Sequence, residues 1–218
     1  MDMESTGPVS SPVGGRQPAM EALVFALGAL REPANVGAVA PASRWLARAV
    51  ADTLMREVAH GACRSVVEIG AGTGALTRAI LAQGLPIERF VAIESDPRFA
   101  RWLRRRFARV EVIRGCASQI VQVLEPGAPT AIVSSLPFRS MPASESRRLV
   151  RAIGEALALA AGSVLIQYSY GFGDSPPFPA PASGLRWTVA KRVLMNLLPA
   201  TVWTLRHDDP PDSHPIHP

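Results

Sequence analysis

Lysine is almost missing from this sequence: Lys191 is the only one, and every other basic residue among the 23 is arginine. Cysteine is scarce as well, and Cys63 and Cys116 alone exclude a disulfide framework and a four-ligand zinc site. They read as two reduced thiols. Aromatic residues make up 6% of the chain and charged residues 19%. No apolar run approaches the roughly 20 residues of a membrane-spanning helix, which excludes an integral membrane protein of that kind. The four histidines, His60, His207, His214 and His217, do not gather near any motif, and no metal-ligand spacing occurs. What is present is apolar: 48% hydrophobic residues in 218 allow one domain with a real core and exclude wholesale disorder.

The net charge is +5, and its distribution is uneven. Arg98, Arg101, Arg104, Arg105, Arg106, Arg109 and Arg114 lie close together with Glu111 the sole acid among them. Such a face attracts phosphate groups, from nucleic acid or from an anionic lipid surface, or is simply a solvated helix face. Phe99, Leu103 and Phe107 recur at helical spacing with Trp102 beside them, so the run is predicted to be a helix with one buried stripe.

Residues 1–18 are rich in Ser, Pro and Gly and are predicted to be a disordered tail. Residues 19–42 hold a short apolar helix and a loop, which packs on the domain or lies in a membrane interface; Arg31-Glu32-Pro33 argues against a signal peptide. The domain is expected over 43–207, with a loose tail from 208. A helix starts at Ser43, a suitable N-cap, and carries Trp45, Leu46, Ala49, Val50, Leu54 and Val58. Strands are predicted at 66–69, 90–93, 110–113, 131–133 and 163–170, with helices over 75–83, through the arginine run and over 143–161. A Pro/Gly loop at 171–184 is long enough to serve a substrate. Two strands without a helix between them, 185–194 and 201–206, end the pattern. Alternating strands and helices mean an α/β fold with a mostly parallel sheet, and the last two strands mean an antiparallel hairpin at one edge.

Val66-Val67-Glu68-Ile69-Gly70-Ala71-Gly72-Thr73-Gly74 is a hydrophobic strand running into a glycine turn that opens a helix. Glycines there let the backbone take positive φ and approach a nucleotide. A dinucleotide fingerprint places its third glycine one residue later, which disfavours a nicotinamide-dependent oxidoreductase. Glu94 ends the second strand, about twenty residues past the glycine turn, where an acid accepts the two hydroxyls of a ribose.

These two motifs in this context resemble class I S-adenosylmethionine-dependent methyltransferases, over roughly residues 43–207. The resemblance implies a single Rossmann-like domain with a seven-stranded, mostly parallel sheet and a C-terminal antiparallel hairpin. It implies a cofactor site of Glu68, Gly70, Gly72, Thr73, Gly74, Glu94, Ser95, Cys116, Ala117 and Ser134, with S-adenosylmethionine as cofactor. Further segments narrow the likeness: Asn35 to Ser43, Ser134-Ser135-Leu136-Pro137-Phe138-Arg139, Gln167-Tyr168-Ser169-Tyr170-Gly171 and Asn196-Leu197-Leu198-Pro199. Together they resemble the bacterial phospholipid N-methyltransferases, which methylate phosphatidylethanolamine towards phosphatidylcholine and are similar to the rRNA adenine dimethylases. A dimethylase carries Asn where Ser135 stands. A serine is a poorer partner for a planar exocyclic amine, so an aliphatic amine is favoured over adenine. The family also carries Asp after the third strand, where this chain has Gly115-Cys116-Ala117; a thiol is a weak acceptor, which leaves the cofactor's adenine amine to the backbone or Ser118.

Methyl transfer needs a neutral amine held about 3–3.5 Å from the methyl in line with the breaking bond. Tyr168, Tyr170 and Phe138 are expected to receive the growing ammonium on their aromatic faces, Arg139 to fork onto the lipid phosphate and Ser135 to contact the substrate. No general base stands out. The resemblance further implies a phospholipid substrate, peripheral attachment to an anionic membrane surface at the cytoplasmic face of the cell membrane, and no nucleic-acid partner. Two other readings stay open: a methyltransferase of rRNA adenine or a small-molecule amine, and a non-catalytic lipid-binding protein on the same fold.

Overall fold

The computed structural model describes residues 42–59, 63–171, 175–195 and 198–208. The predicted tail at 1–18, the predicted tail at 208–218 except for Asp208, nearly all of the 19–42 segment, Asn196, and His60, His214 and His217 lie outside the described residues.

Helix α1 (Arg44–Ala59) begins where Ser43 accepts a hydrogen bond from the Leu46 amide at 3.2 Å. Its Leu46, Val50 and Leu54 are fully buried, each worth about 1.5–3 kcal/mol. Strand β1 (Ser65–Ile69) leads through the glycine turn into α2 (Ala75–Ala82); β2 (Phe90–Glu94) leads into α3 (Pro97–Arg106); β3 (Glu111–Arg114) follows. Then come β4 (Thr130–Ser134), α4 (Ala143–Ala158), β5 (Val164–Tyr170), β6 (Leu185–Val193) and β7 (Ala200–His207). Predicted boundaries differ from these by one to three residues. Two short 3-10 segments, Ile87–Arg89 and Ala117–Val123, were not expected, being too short to show a period. The second begins at Cys116, whose amide donates to the Gln119 side chain at 3.0 Å, a local bond that propensity does not reveal.

The seven strands form one sheet in the order β3-β2-β1-β4-β5-β7-β6. The first five are mutually parallel and β7 runs antiparallel to both β5 and β6, as the strand pattern implies. Because helices cover both faces, the central strands are apolar at nearly every position. Val66, Ala92, Val133 and Ile166 pack under α1, α2 and α3, whereas Ile69, Ile93, Ile132 and Leu165 pack under α4 and the second 3-10 segment. The edges are β3, four residues flanked by Glu111 and Arg114, and β6, which carries exposed Arg186 and Arg192 and a register irregularity between Val189 and Lys191. Lys191 there pairs with Asp52 of α1 at 3.6 Å.

In α3 the buried residues are Ala100 and Leu103; Phe99, Trp102 and Phe107 are half-buried. The arginine run is less available than its sequence suggests. Arg98 pairs with Asp96, Arg109 with Glu88, Arg104 donates to the Val112 carbonyl at 2.8 Å and Arg106 lies over the Phe107 ring. Among the described residues no helix is long and apolar enough to cross a membrane.

Candidate active site

Strand order reverses between β1 and β4, which opens a crevice at the carboxyl ends of these strands. The glycine turn sits there. Gly70, Gly72 and Gly74 all have positive φ, at 71°, 53° and 76°. Their surroundings differ. A Cβ on Gly70 would lie 2.5 Å from Leu136, and one on Gly74 2.5 Å from Phe107, so both glycines make room for packing. Gly72 meets nothing nearer than the Gly70 carbonyl at 3.9 Å, and it alone of the three opens on free space. Trp102 ties α3 to this turn by donating to the Thr73 carbonyl at 3.3 Å.

Glu94 is buried and its carboxylate is already oriented. Oε2 accepts the Gly72 amide at 2.7 Å and Oε1 the Asp96 amide at 2.8 Å. Each oxygen keeps a lone pair for a further donor, as a ribose diol requires. The exposed Ser95 lies between these two acids. Asp96 caps α3 by accepting the Arg98 amide at 2.7 Å, and bonding to Arg98 holds its carboxyl below the usual carboxylate range.

Glu68 lies beneath the turn, fully buried. Oε2 accepts the Thr77 hydroxyl at 2.6 Å and Oε1 has no hydrogen-bond partner. Burial pushes its pKa up to about 8, against 4.5 ordinarily. The unfolded chain therefore sheds this proton near pH 4.5 and the folded chain only near pH 8. The stabilisation is complete below the lower value and is lost as pH rises through the higher. Glu68→Gln is expected to flatten the fall in stability between pH 5 and 8, read from thermal melts at both ends. An unchanged slope would assign the proton elsewhere.

Cys116 begins the 3-10 segment on the other side of the crevice. Its sulfur accepts the Ser118 hydroxyl at 3.1 Å and lies 3.7 Å from the Arg148 guanidinium. Burial opposes ionisation, but the Ser118 bonds and the Arg148 charge outweigh it and hold the thiol below its ordinary pKa. Ala117 next to it is buried. Ser134, also buried, accepts the Leu136 amide at 3.2 Å.

Beside the crevice lies a cavity of about 160 Å³ between the loop after β4 and the end of β5, lined by Ser135, Phe138, Arg139, Gln167, Tyr168, Tyr170 and their neighbours. All five residues expected at the substrate meet here, but three are already engaged. The Ser135 hydroxyl donates to the Gly70 carbonyl at 2.5 Å, leaving only lone pairs for a substrate. Phe138 is buried, its ring 4.5 Å from that of Phe178. Arg139 donates to the Ser175 and Pro176 carbonyls, at 2.6 and 3.4 Å, so it fastens the long loop as it stands. Tyr168 and Tyr170 meet edge to face at 5.5 Å and are half-buried. Burial, then Tyr170 and Glu68, push the Tyr168 pKa up, so its phenol stays protonated. Sequence reasoning gave no role to Gln167, Arg148 or Phe178. The signal for Gln167 was a lone amide in the apolar run Val164-Leu165-Ile166. His207 stands at the far end of β7, paired with Leu185. No group of three metal-ligating side chains occurs among the described residues.

The ribosomal RNA adenine dimethylase family matches residues 48–139. An ornithine lipid N-methyltransferase of Singulisphaera acidiphila is 38% identical over 129 residues, 56% of this chain and 65% of that protein. A ribosomal RNA small subunit methyltransferase A of Caulobacter vibrioides is 40% identical over 78 residues, 34% of this chain and 29% of that one. The chain thus spans less than two thirds of the length of these relatives. Among solved structures, the Burkholderia thailandensis 1,6-didemethyltoxoflavin-N1-methyltransferase, which holds S-adenosylhomocysteine, matches with a TM-score of 0.55 at 17% identity, covering 93% of this chain and 94% of that one. A TehB-like S-adenosylmethionine-dependent methyltransferase of Corynebacterium glutamicum matches with a TM-score of 0.53 at 15% identity, covering 87% and 100%. The fold is therefore that of the S-adenosylmethionine-dependent methyltransferases.

Proposed function

We propose that this protein is an S-adenosylmethionine-dependent N-methyltransferase acting on the primary amine of a lipid headgroup, phosphatidylethanolamine first, at an anionic membrane surface. The observation that carries the reading is the pairing of an oriented Glu94 carboxylate and an open Gly72 with a neighbouring amine-sized cavity walled by tyrosines. Glu94 would hold the ribose, the Gly72 region would leave room for the methionine portion, and Cys116 and Ser118 would border the adenine. Bound there, S-adenosylmethionine would supply an electrophilic methyl group to a neutral amine. The chain's own part is positioning. Tyr168 and Tyr170 offer ring faces to the ammonium as its charge grows, each worth about 0.5–2 kcal/mol.

The lipid reading is supported over the rRNA reading by two facts. The dimethylase match ends at Arg139, before the β5 wall of the cavity that holds Gln167, Tyr168 and Tyr170. Ser135 spends its hydroxyl proton on Gly70, so it presents no planar amide to an adenine. The decisive experiment is lipid mass spectrometry after incubation with S-adenosylmethionine and vesicles with or without phosphatidylethanolamine. Headgroup gains of one, two or three methyl groups are expected. Methylation of ribosomal RNA with none of lipid would overturn the reading.

A further inference from the structure

Gln167 is the polar side chain of the cavity whose bonding is left incomplete. It is 2% exposed. Its Nε2 donates to two main-chain carbonyls, Leu136 at 3.1 Å and Tyr168 at 2.8 Å. Those two bonds settle the amide's orientation, because the reverse would set Oε1 against two carbonyl oxygens. Oε1 is then a buried acceptor without a hydrogen-bond partner. Such a group normally finds a protein, water or ligand donor. Leu136, which takes one Nε2 bond, lines the same cavity as Ser135, Phe138 and Tyr168.

We infer that Gln167 Oε1 accepts an N–H of the substrate amine. The inference rests on the amine reading of this cavity and adds a positioning residue to it. The chemistry matches on three counts. A primary amine has N–H donors to give while its lone pair stays free for the methyl group. A neutral amide orients the amine without raising its basicity, whereas a carboxylate in the same place would favour the unreactive ammonium. The two carbonyl bonds hold the acceptor still, so its direction is fixed before the substrate arrives. Three other polar groups at this wall are engaged: the Ser135 hydroxyl donates to Gly70, the Arg139 guanidinium donates to Ser175 and Pro176, and Ser169 Oγ accepts from the Trp203 indole at 3.0 Å.

Gln167→Leu and Gln167→Glu test it, with melting temperatures establishing that each variant is folded. With phosphatidylethanolamine vesicles, Gln167→Leu is expected to lower kcat/KM roughly tenfold or more, the loss of one oriented hydrogen bond, while affinity for S-adenosylhomocysteine stays within about twofold. Gln167→Glu is expected to move the ascending limb of the kcat/KM profile, on which the amine loses its proton, to higher pH, since a carboxylate touching the amine holds that proton. A side chain that only pins the loop after β4 would leave that limb in place. The second arm does not depend on lipid turnover: calorimetric binding of phosphoethanolamine to the wild type and to Gln167→Leu, each loaded with S-adenosylhomocysteine. Binding by the wild type and its loss in the variant supports the contact even if no lipid is methylated. Equal binding by both, or none by the wild type, overturns it, as does an unshifted pH profile in a folded Gln167→Glu.

Discussion

Glu94→Ala is expected to weaken S-adenosylmethionine binding at least about a hundredfold. Two hydroxyl-to-carboxylate bonds of roughly 1.5–3 kcal/mol each would vanish together. The loss extends beyond the ligand, because the Gly72 and Asp96 amides both donate to this carboxylate and would lose their shared partner. The turn after β1 and the start of α3 would then no longer be joined. Glu94→Gln separates the effects. It keeps one acceptor oxygen for an amide and removes the charge, so its fold should persist while affinity still drops. Calorimetry with the cofactor and a thermal melt in its absence read the two quantities independently. Near-normal affinity in Glu94→Ala would end the ribose assignment.

The other large effect is on stability. Gly74→Ala would place a Cβ 2.5 Å from the Phe107 ring and 2.9 Å from Leu103, at a φ of 76°. The left-handed backbone costs about 1–2 kcal/mol for a residue with a Cβ, and overpacking adds about 1–3 kcal/mol. A fall of about 2–5 kcal/mol in urea denaturation is therefore expected. Gly84→Ala is the reference: its φ is 87°, but nothing lies within 4 Å of the added atom. Equal losses in the two variants would mean that the contact with α3 is unimportant and only the backbone matters.

Gly74 also marks what a sequence can and cannot disclose. Glycine at this turn is readable, because a strand of Val and Ile entering a helix needs positive φ to turn so sharply. Which of the three glycines packing also requires was not readable, since a Cβ on Gly70 or Gly74 would meet Leu136 or Phe107, side chains more than thirty residues away in sequence. The mostly parallel sheet and the terminal hairpin were legible from the strand pattern. Runs such as Phe90 to Ile93 are apolar on both faces, which a sheet covered by helices requires. Glu94 was legible because it ends such a run. The engagement of Arg139 was not, as its acceptors are main-chain carbonyls at Ser175 and Pro176, and no side-chain pattern encodes those. The 3-10 segment at Cys116 stayed hidden because its single stabilising turn is set by Gln119 reaching back to one amide.

The sheet's two outer strands bear on how the protein behaves at high concentration. An uncovered strand invites another chain to add to it through its unpaired backbone groups. Here β3 is only four residues long, with a charged residue at each end. The nine-residue β6 is the greater hazard, and it carries three cations, Arg186, Lys191 and Arg192, and a break in register that disturbs the ladder a visiting strand would need. Growth of the sheet into filaments is opposed at both ends, by shortness on one side and by charge and irregular pairing on the other.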